Sequence, residues 1–298
     1  MPFLISFPVH AQSPRLLPVE GAVAPGGLRM ASGAILPQVA PLGEMAAGQR
    51  GRARGRKNPL AFPLRLCYHF PMENIFDHPA RITIFAGHYG SGKTTAAVNY
   101  AMALARACPR VALCDMDIVN PYFRTADSAD ILAGAGVELI SSSLANSNVE
   151  MIGLPAQLPR VFDDPTLTSV IDLGGDDCGA LALGRYAGRI QGRGDIALWL
   201  VVNACRPLTR DVDALLSIKT EIETASHVSF TGLVNSTNLG AETTPEAIAA
   251  SFPLMRRLRE ALALPVAMTA VREDIPLVVP EDMGTRFDVQ CWGNRFGV

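Results

Sequence analysis

Eight consecutive residues have the types and spacing of a phosphate-binding loop. The segment Gly87-His88-Tyr89-Gly90-Ser91-Gly92-Lys93-Thr94 fits the pattern G-x-x-x-x-G-K-[ST]. It follows the apolar run Ile82–Ala86 and opens a helical stretch from Thr94 to Ala107, so its backbone N–H groups and the positive end of the helix would face one anion. Lys93 is one of three lysines in a chain with 23 arginines, and a compact ammonium can reach phosphate oxygens inside such a loop. The pattern therefore predicts nucleotide binding.

Two acidic segments follow later strands and could serve a divalent cation and an attacking water. Asp115 and Asp117 stand two residues apart after the second strand, where both carboxylates project to one side of an extended segment. An Asx turn or a helix cap would explain one of these aspartates more naturally than both. Asp172 ends the apolar run of the fourth strand, and the N–H of the nearby Gly175 can approach a γ-phosphate because no side chain intervenes. We expect Asp172 to hold Mg²⁺ through water, and we assign no catalytic role to the two aspartates that follow Gly175.

Two further strands end in asparagine, at Asn203 and Asn235. An amide offers both a donor and an acceptor, which recognition of a purine edge requires. Asn235 is the better candidate for a base contact, and the alternative is an asparagine that merely forms a turn after its strand.

The elements that must position these residues alternate between β-branched apolar runs and amphipathic stretches from residue 81 onward. This alternation is typical of βαβ units and predicts an α/β fold with three α/β/α layers and a mainly parallel sheet of about seven strands. The predicted strands are Ile82–Ala86, Val111–Cys114, Val137–Ile140, Ser169–Leu173, Ala197–Val202, Val228–Val234 and Pro265–Ala270. The predicted helices are Thr94–Ala107, Thr125–Ala133, Ala180–Arg189, Asp211–Ser226 and Pro245–Ala263, and residues from 275 onward show no clear pattern.

Charge divides the 298-residue chain into two parts. Residues 1–71 hold eight basic and two acidic residues, whereas residues 72–298 carry a net charge of −8. The first part is rich in Pro, Gly and Ala and lacks a sustained helical or strand period, so we expect it to be a disordered extension or a segment upstream of a true start at Met72. Its basic run from Arg50 to Lys57 would also suit a tether to nucleic acid or anionic lipid, or an Arg-rich transit peptide. Residues 72–298 are long enough for a single domain with a sizeable core.

Cysteine usage and hydropathy bear on the compartment. The six cysteines show no C-x-x-C pairing and no metal-ligand spacing with the five histidines, which favours a reducing, cytoplasmic setting. No apolar run approaches the roughly 20 residues of a membrane span, so we expect a soluble protein.

At the loop, the two acidic segments and the late Asn235 strand, the chain resembles the SIMIBI class of P-loop NTPases. Within that class it is most similar to the MinD and ParA-like ATPases, the CobQ/CobB/MinD/ParA nucleotide-binding domain family, over about residues 80–275. The resemblance implies that residues 72–298 form one P-loop NTPase domain with Mg²⁺ and ATP as ligands. It implies a catalytic pair of Lys93 and Asp117, where Asp117 orients or deprotonates the attacking water. The implied nucleotide contacts are Gly87, His88, Tyr89, Gly90, Ser91, Gly92, Lys93, Thr94, Thr95, Gly175 and Asn235, with Thr95 on the α-phosphate and Asn235 on adenine, and the implied metal-binding residues are Thr94, Asp115 and Asp172.

One position departs from the family pattern. The family's loop reads K-G-G-x-G-K-[ST], and its first lysine reaches the nucleotide of a dimer partner; here that position is His88, and Tyr89 replaces the next glycine. The alternative sources of positive charge are a protonated His88 and Arg124, which lies in the segment after the second strand, two residues past Tyr122. The segment Asn235-Ser236-Thr237-Asn238 does not form the N-K-x-D guanine motif, which favours ATP over GTP.

These features support three hypotheses. The leading one is a cytoplasmic Mg²⁺-dependent ATPase that forms a homodimer on nucleotide binding and acts as a switch on a protein partner, with no nucleic acid or membrane span. The alternative is a kinase or ligase that transfers phosphate to a small molecule, with an acceptor pocket built from residues 146–160 and 205–210. The third is an interaction module that binds nucleotide with negligible turnover.

Overall fold

Eight parallel strands form one sheet in the computed structural model of the chain, which describes residues 75–117, 129–141, 154–175 and 177–290. The strands lie in the order β3-β2-β4-β1-β5-β6-β7-β8, and each neighbouring pair is parallel. Their bounds are β1 Ile82–Ala86, β2 Val111–Met116, β3 Val137–Ile140, β4 Thr168–Leu173, β5 Ile196–Val202, β6 Gly232–Asn235, β7 Val266–Arg272 and β8 Thr285–Val289. The predicted α/β fold class is confirmed.

Helices cover both faces of this sheet. They are α1 Lys93–Leu104, α2 Ala129–Gly134, α3 Leu158–Asp163, α4 Asp177–Gly184, α5 Ala187–Ile190, α6 Val212–Ser226, α7 Pro245–Ala249 and α8 Phe252–Leu262. Along β1, Ile82, Ile84 and Ala86 pack with the apolar cluster that includes side chains of α3 to α8, whereas Phe85 packs with that of α1 and α2. The alternation of side chains along each strand therefore separates two cores, and the three predicted layers follow from it.

Two helices predicted from the sequence are each divided into two in the structure. The predicted helix Pro245–Ala263 is two helices, α7 and α8, because Pro253 in the first turn of α8 has no N–H to continue the helical ladder. The predicted helix Ala180–Arg189 begins earlier, at Asp177, and ends at Gly184 before α5. A β-carbon at residue 184 would lie 2.6 Å from the carbonyl oxygen of Ala225, so glycine is required for the close contact with α6.

The last strands also differ from the prediction. The predicted strand Val228–Val234 begins only at Gly232. β8 was missed because its alternation is short and charged, with Arg286 and Asp288 on one side and Phe287 and Val289 packed on the other. The extension 1–71, Met72, Arg124 and Asp176 lie outside the described residues.

Strand order decides which loops meet. β1 lies between β4 and β5, and β4 lies between β2 and β1. In a parallel sheet all carboxyl ends reach the same edge, so the ends of β1, β2, β4 and β5 lie side by side there. Within the described ranges, no helix combines the length and apolar character that crossing a bilayer needs.

Candidate functional site

The predicted phosphate-binding loop joins the end of β1 to the start of α1. Three of its glycines have positive φ angles, 148° at Gly87, 74° at Gly90 and 88° at Gly92, which side chains rarely tolerate. A β-carbon at residue 87 would also lie 2.6 Å from the carbonyl oxygen of Val201 on β5. The glycine spacing of the sequence is therefore a requirement of this turn.

The first turn of α1 is open to an anion. Gly92 is the N-cap residue, no side chain caps the helix by a hydrogen bond, and the first turn holds no acidic residue. The N–H groups of that turn lack helical partners and carry the positive end of the helix dipole. Thr94 and Thr95, both half-buried, stand in this turn at the positions predicted to face the metal and the α-phosphate.

Lys93 folds back over the loop. Its side chain is buried, and its Nζ donates a hydrogen bond of 3.1 Å to the carbonyl oxygen of His88, which also accepts from the N–H of Ser91. The segment after β4 comes close to the same part of the loop. A β-carbon at residue 175 would lie 2.8 Å from both Lys93 Nζ and the backbone nitrogen of Tyr89. Gly175 therefore lies next to the phosphate-binding loop.

Thr94 and Asp172 meet at the candidate metal position. The Thr94 hydroxyl donates a 2.6 Å hydrogen bond to Asp172 Oδ2, while Asp172 Oδ1 is buried and has no hydrogen-bond partner within the part of the chain that the structure describes. Asp115 is the register partner of Asp172 on the adjacent β2 and is also buried. Burial, and next the charge of Asp115, raise the pKa of Asp172 to about 7, against the opposing effects of Lys93 and Thr94.

This arrangement fits a divalent cation. A buried carboxylate with an orphan oxygen beside a second carboxylate is costly to ionise, and a bound cation removes that cost. Within the described ranges, no three His, Cys, Asp or Glu side chains come close enough to form a complete protein cage. Magnesium sites that use few protein oxygens and take the rest from phosphate and water have this character.

Asp117 lies one residue beyond β2, half-exposed, and its N–H donates to Asp115 Oδ1 at 2.9 Å. Its charge contributes to the raised pKa of Asp172, so the two carboxylates are electrostatically coupled. The predicted role of Asp117 toward water stays a prediction. The ring of the half-buried His88 lies with Nδ1 3.0 Å from the carbonyl oxygen of Tyr89, and the exposed Tyr89 side chain points away from the core.

Asn235 is placed differently from the other predicted residues. It is fully buried at the end of β6, its amide nitrogen donates to Ser251 Oγ at 2.9 Å, and its carbonyl oxygen accepts from Thr237. These bonds fit the turn-forming alternative. A contact with a base therefore stays a prediction for Asn235, and it would require a rearrangement of this network.

Three residues near the loop were not predicted as nucleotide contacts, although Arg206 lies in the range 205–210 of the alternative acceptor pocket. A β-carbon at residue 92 would lie 2.5 Å from Ser236 Oγ and 3.6 Å from Asn238 Nδ2, so the segment after β6 borders the start of α1. Arg206, in the turn after β5, donates from Nε to the carbonyl oxygen of Gly90 at 3.1 Å. All three closely follow the ends of strands, which is the sequence feature that could have identified them. Their nearness to the loop could not be predicted, because sequence spacing does not show that β5 lies beside β1.

Comparison with known proteins adds little to this geometry. No protein-family model matches the sequence, and no curated protein matches it. Among solved structures, the cell division protein FtsY of Thermotoga maritima is 18% identical, with a TM-score of 0.46 and coverage of 73% of this chain and 71% of that chain. FtsY of Mycoplasma mycoides is also 18% identical, with a TM-score of 0.44. The match covers 66% of this chain and 61% of the Mycoplasma protein, which is less than two thirds of its length. A nucleotide-binding protein of Archaeoglobus fulgidus in complex with ADP is 14% identical, with a TM-score of 0.32 and coverage of 55% and 70%.

Proposed function

We propose that this chain binds ATP with Mg²⁺, hydrolyses it, and uses the two nucleotide states as a switch on a protein partner. The observation that carries the proposal is the joint placement of the uncapped first turn of α1, the Lys93 ammonium and the Thr94–Asp172 pair around one loop. Phosphoryl transfer needs mainly positioning and electrostatic stabilisation, and this set supplies both.

Each residue has a distinct task in the proposed reaction. The loop amides hold the phosphates, and Lys93 exchanges its bond to the His88 carbonyl oxygen for the β- and γ-phosphate oxygens. Gly175 leaves room for its N–H to approach the terminal phosphate. Thr94 and Asp172 hold Mg²⁺, which when bound neutralises charge on the phosphates, and Asp115 supports them from β2. Asp117 orients the attacking water from the segment beyond β2.

Exposed apolar side chains support the part of this proposal that concerns a protein partner. Among the described residues, four of the five large hydrophobic side chains that are exposed lie in segments that begin at the carboxyl ends of strands, where the nucleotide would bind. They are Tyr89 after β1, Leu181 in α4 after β4, Leu208 after β5 and Leu239 after β6. The fifth, Val278, lies in the connection between β7 and β8, next to Leu277, whose carbonyl oxygen accepts from Arg286 of β8. Apolar side chains gathered on one edge are typical of a protein interaction site. A homodimer formed on nucleotide binding is the simplest partner and stays part of the proposal.

Lys93→Ala tests the proposal directly. Lys93 supplies a full positive charge at the loop, so its loss should weaken MgATP binding by about 10-fold or more, or abolish turnover if the loop amides still hold phosphate. The matched control is Lys219→Ala, because Lys219 pairs with Glu223 on α6 at 2.6 Å, away from the loop. Calorimetry and phosphate release measure the two effects, with thermal melting to confirm that both variants fold.

Two results would contradict the proposal. Wild-type protein that binds neither ATP nor GTP, or a Lys93→Ala variant with unchanged binding and turnover, would rule out the phosphate-loop assignment. Product analysis separates the alternatives: phosphate released without an acceptor supports the switch, ADP formed only with an acceptor supports the kinase or ligase, and tight binding without either supports the interaction module. Competition between ATP and GTP tests the base preference.

A further inference from the structure

The turn that follows β5 holds an arginine against the phosphate loop. β5 pairs with β1 along its length, with Leu200 opposite Ala86, so the residues after Val202 emerge beside the residues after Ala86. Arg206 Nε donates to the carbonyl oxygen of Gly90 at 3.1 Å. The side chain lies directly over Gly90, since a β-carbon there would make ordinary van der Waals contact with it, 3.5 Å from Nε and 3.7 Å from Cζ. The guanidinium is therefore in direct contact with the loop.

The backbone of this turn is fixed by its own hydrogen bonds. Asn203 Oδ1 accepts from the N–H of Cys205 at 3.0 Å, and the N–H of Arg206 donates to the carbonyl oxygen of Asn203 at 3.1 Å. The hydroxyl of the buried Thr209 donates to the same carbonyl oxygen, and the N–H of Ala204 donates to Thr237 Oγ1 at 3.1 Å. The turn is therefore anchored both to itself and to the segment after β6. Such support presets a side chain's position before a ligand arrives.

The guanidinium has unused capacity at this position. Arginine carries five N–H donors, and the Gly90 carbonyl oxygen takes the one on Nε. None of the ion pairs found among the described residues includes Arg206. The two terminal nitrogens form a planar fork, which matches phosphate oxygens in a bidentate geometry. The fork is exposed at the edge where the loop opens.

We infer that Arg206 is a phosphate-contacting residue of the nucleotide site and favours the triphosphate over the diphosphate. This inference depends on the proposed function and adds a specificity residue to it. Gly175, where the terminal phosphate would bind, lies against the backbone nitrogen of Tyr89, the residue before Gly90, so Arg206 stands beside that part of the loop. A second cation on this side offsets the additional charge of a terminal phosphate, which a diphosphate lacks.

The test is the ratio of affinities for two nucleotides. Wild-type protein, Arg206→Ala and Arg206→Lys are titrated by calorimetry with a non-hydrolysable ATP analogue and with ADP, both with Mg²⁺. Arg206→Ala should bind the ATP analogue about 10-fold more weakly and leave ADP affinity within about 2-fold, since a charge-assisted bond is lost from one nucleotide alone. Arg206→Lys keeps the charge without the fork and should recover part of the loss. The control is Arg257→Ala, which removes an exposed arginine from α8.

The outcomes distinguish this inference from the proposed function. Equal losses for both nucleotides would show that Arg206 only supports the loop through Gly90, and no loss for either would show that it makes no contact; both results overturn the inference and leave the proposed function standing. A wild-type protein that binds neither nucleotide overturns both.

Discussion

At the scale of single residues, Asp172 occupies the least favourable position of the site. It is buried, it faces Asp115 across the sheet register, and one of its oxygens has no donor among the described residues. A protein gains no stability from such a carboxylate in the absence of a cation. The same features suit Asp172 to a bound cation. Binding of the cation is expected to recover the stability that burial of this carboxylate costs.

Asp172 makes the stability of the nucleotide-free protein depend on pH. Its pKa is about 7 in the folded protein and near 4 in an unfolded chain, so between these values the folded state binds more protons. The free energy of unfolding should therefore fall as pH rises from about 4 to about 7, by roughly 1.4 kcal/mol per unit at most. Asp172→Asn does not titrate and should be more stable than wild type at pH 8 by a few kcal/mol, but not at pH 4.

Urea unfolding at pH 4, 6 and 8 without Mg²⁺ measures this difference. The comparison of wild type with Asp172→Asn cancels the titration of the groups that do not interact with Asp172. A difference that does not change with pH would contradict a raised pKa for Asp172. Addition of Mg²⁺ and ATP at pH 8 should stabilise the wild type and not the variant, which also tests the metal assignment.

At the scale of elements, α1 is tied to the last strand as well as to the loop. Asn99 on α1 accepts from the N–H of Gln290 at 2.9 Å and donates to its carbonyl oxygen at 3.1 Å, just beyond the end of β8. Its amide also donates to the carbonyl oxygen of Thr95 at 2.8 Å. The helix that begins at Lys93 is therefore held at mid-length by the opposite end of the domain's sequence.

Asn99→Ala should destabilise the protein by about 1 to 2 kcal/mol. Two backbone groups of Gln290 lose their partner, and the better helix propensity of alanine offsets only a few tenths of that cost. Gln290→Ala is the matched control, because the contact uses the backbone of residue 290 and its side chain reaches only the exposed Glu273. Denaturant midpoints measure both variants, and equal midpoints for the two would contradict this role of Asn99.

Sequence reasoning worked where a pattern was local. The strand before the loop, the loop itself and the helix after it follow from adjacent residues, and β1 and β3 have the predicted bounds. It failed where the decisive contact came from a distant element. Gly184 ends α4 against Ala225 of α6, and β8 exists because β7 pairs with it. In the site, the nearness of Asp172 to Thr94 was expected, whereas the approach of Arg206 to Gly90 depends on β5 lying beside β1.

At the scale of the whole molecule, the two edges of the sheet have different tasks. At the amino edge, Arg81 donates to the carbonyl oxygens of Val161, Asp164 and Leu167 and to the carboxylate of Asp195. Arg193 donates to the same carboxylate, and these two arginines hold the pKa of Asp195 well below its usual range. The carboxyl edge instead holds the open loop, the coupled carboxylates and four of the five exposed large apolar side chains. The ion pairs of Arg81 and Arg193 and the proposed ligand site thus lie at opposite ends of the strands.

This division predicts that nucleotide controls association through the carboxyl edge. With MgATP or its non-hydrolysable analogue, light scattering should show a dimer, and with ADP or no nucleotide a monomer. Leu181→Glu and Leu239→Glu each place a carboxylate among the exposed apolar side chains of that edge and should weaken the dimer by about 10-fold or more. Nucleotide affinity of the monomer should stay near that of wild type, because both side chains point to solvent.

Arg257→Glu on α8 makes a comparable change of charge at an exposed position and should leave the dimer intact. A wild-type protein that remains monomeric with the ATP analogue at about 100 μM, above the Kd range of most specific complexes, would contradict the homodimer. If the two leucine variants then lost ATP binding as well, the exposed apolar side chains would belong to the nucleotide pocket instead of an interface. We expect dimerisation to be lost only in the leucine variants, because the proposed ligand site and these apolar side chains lie at the same edge of the sheet.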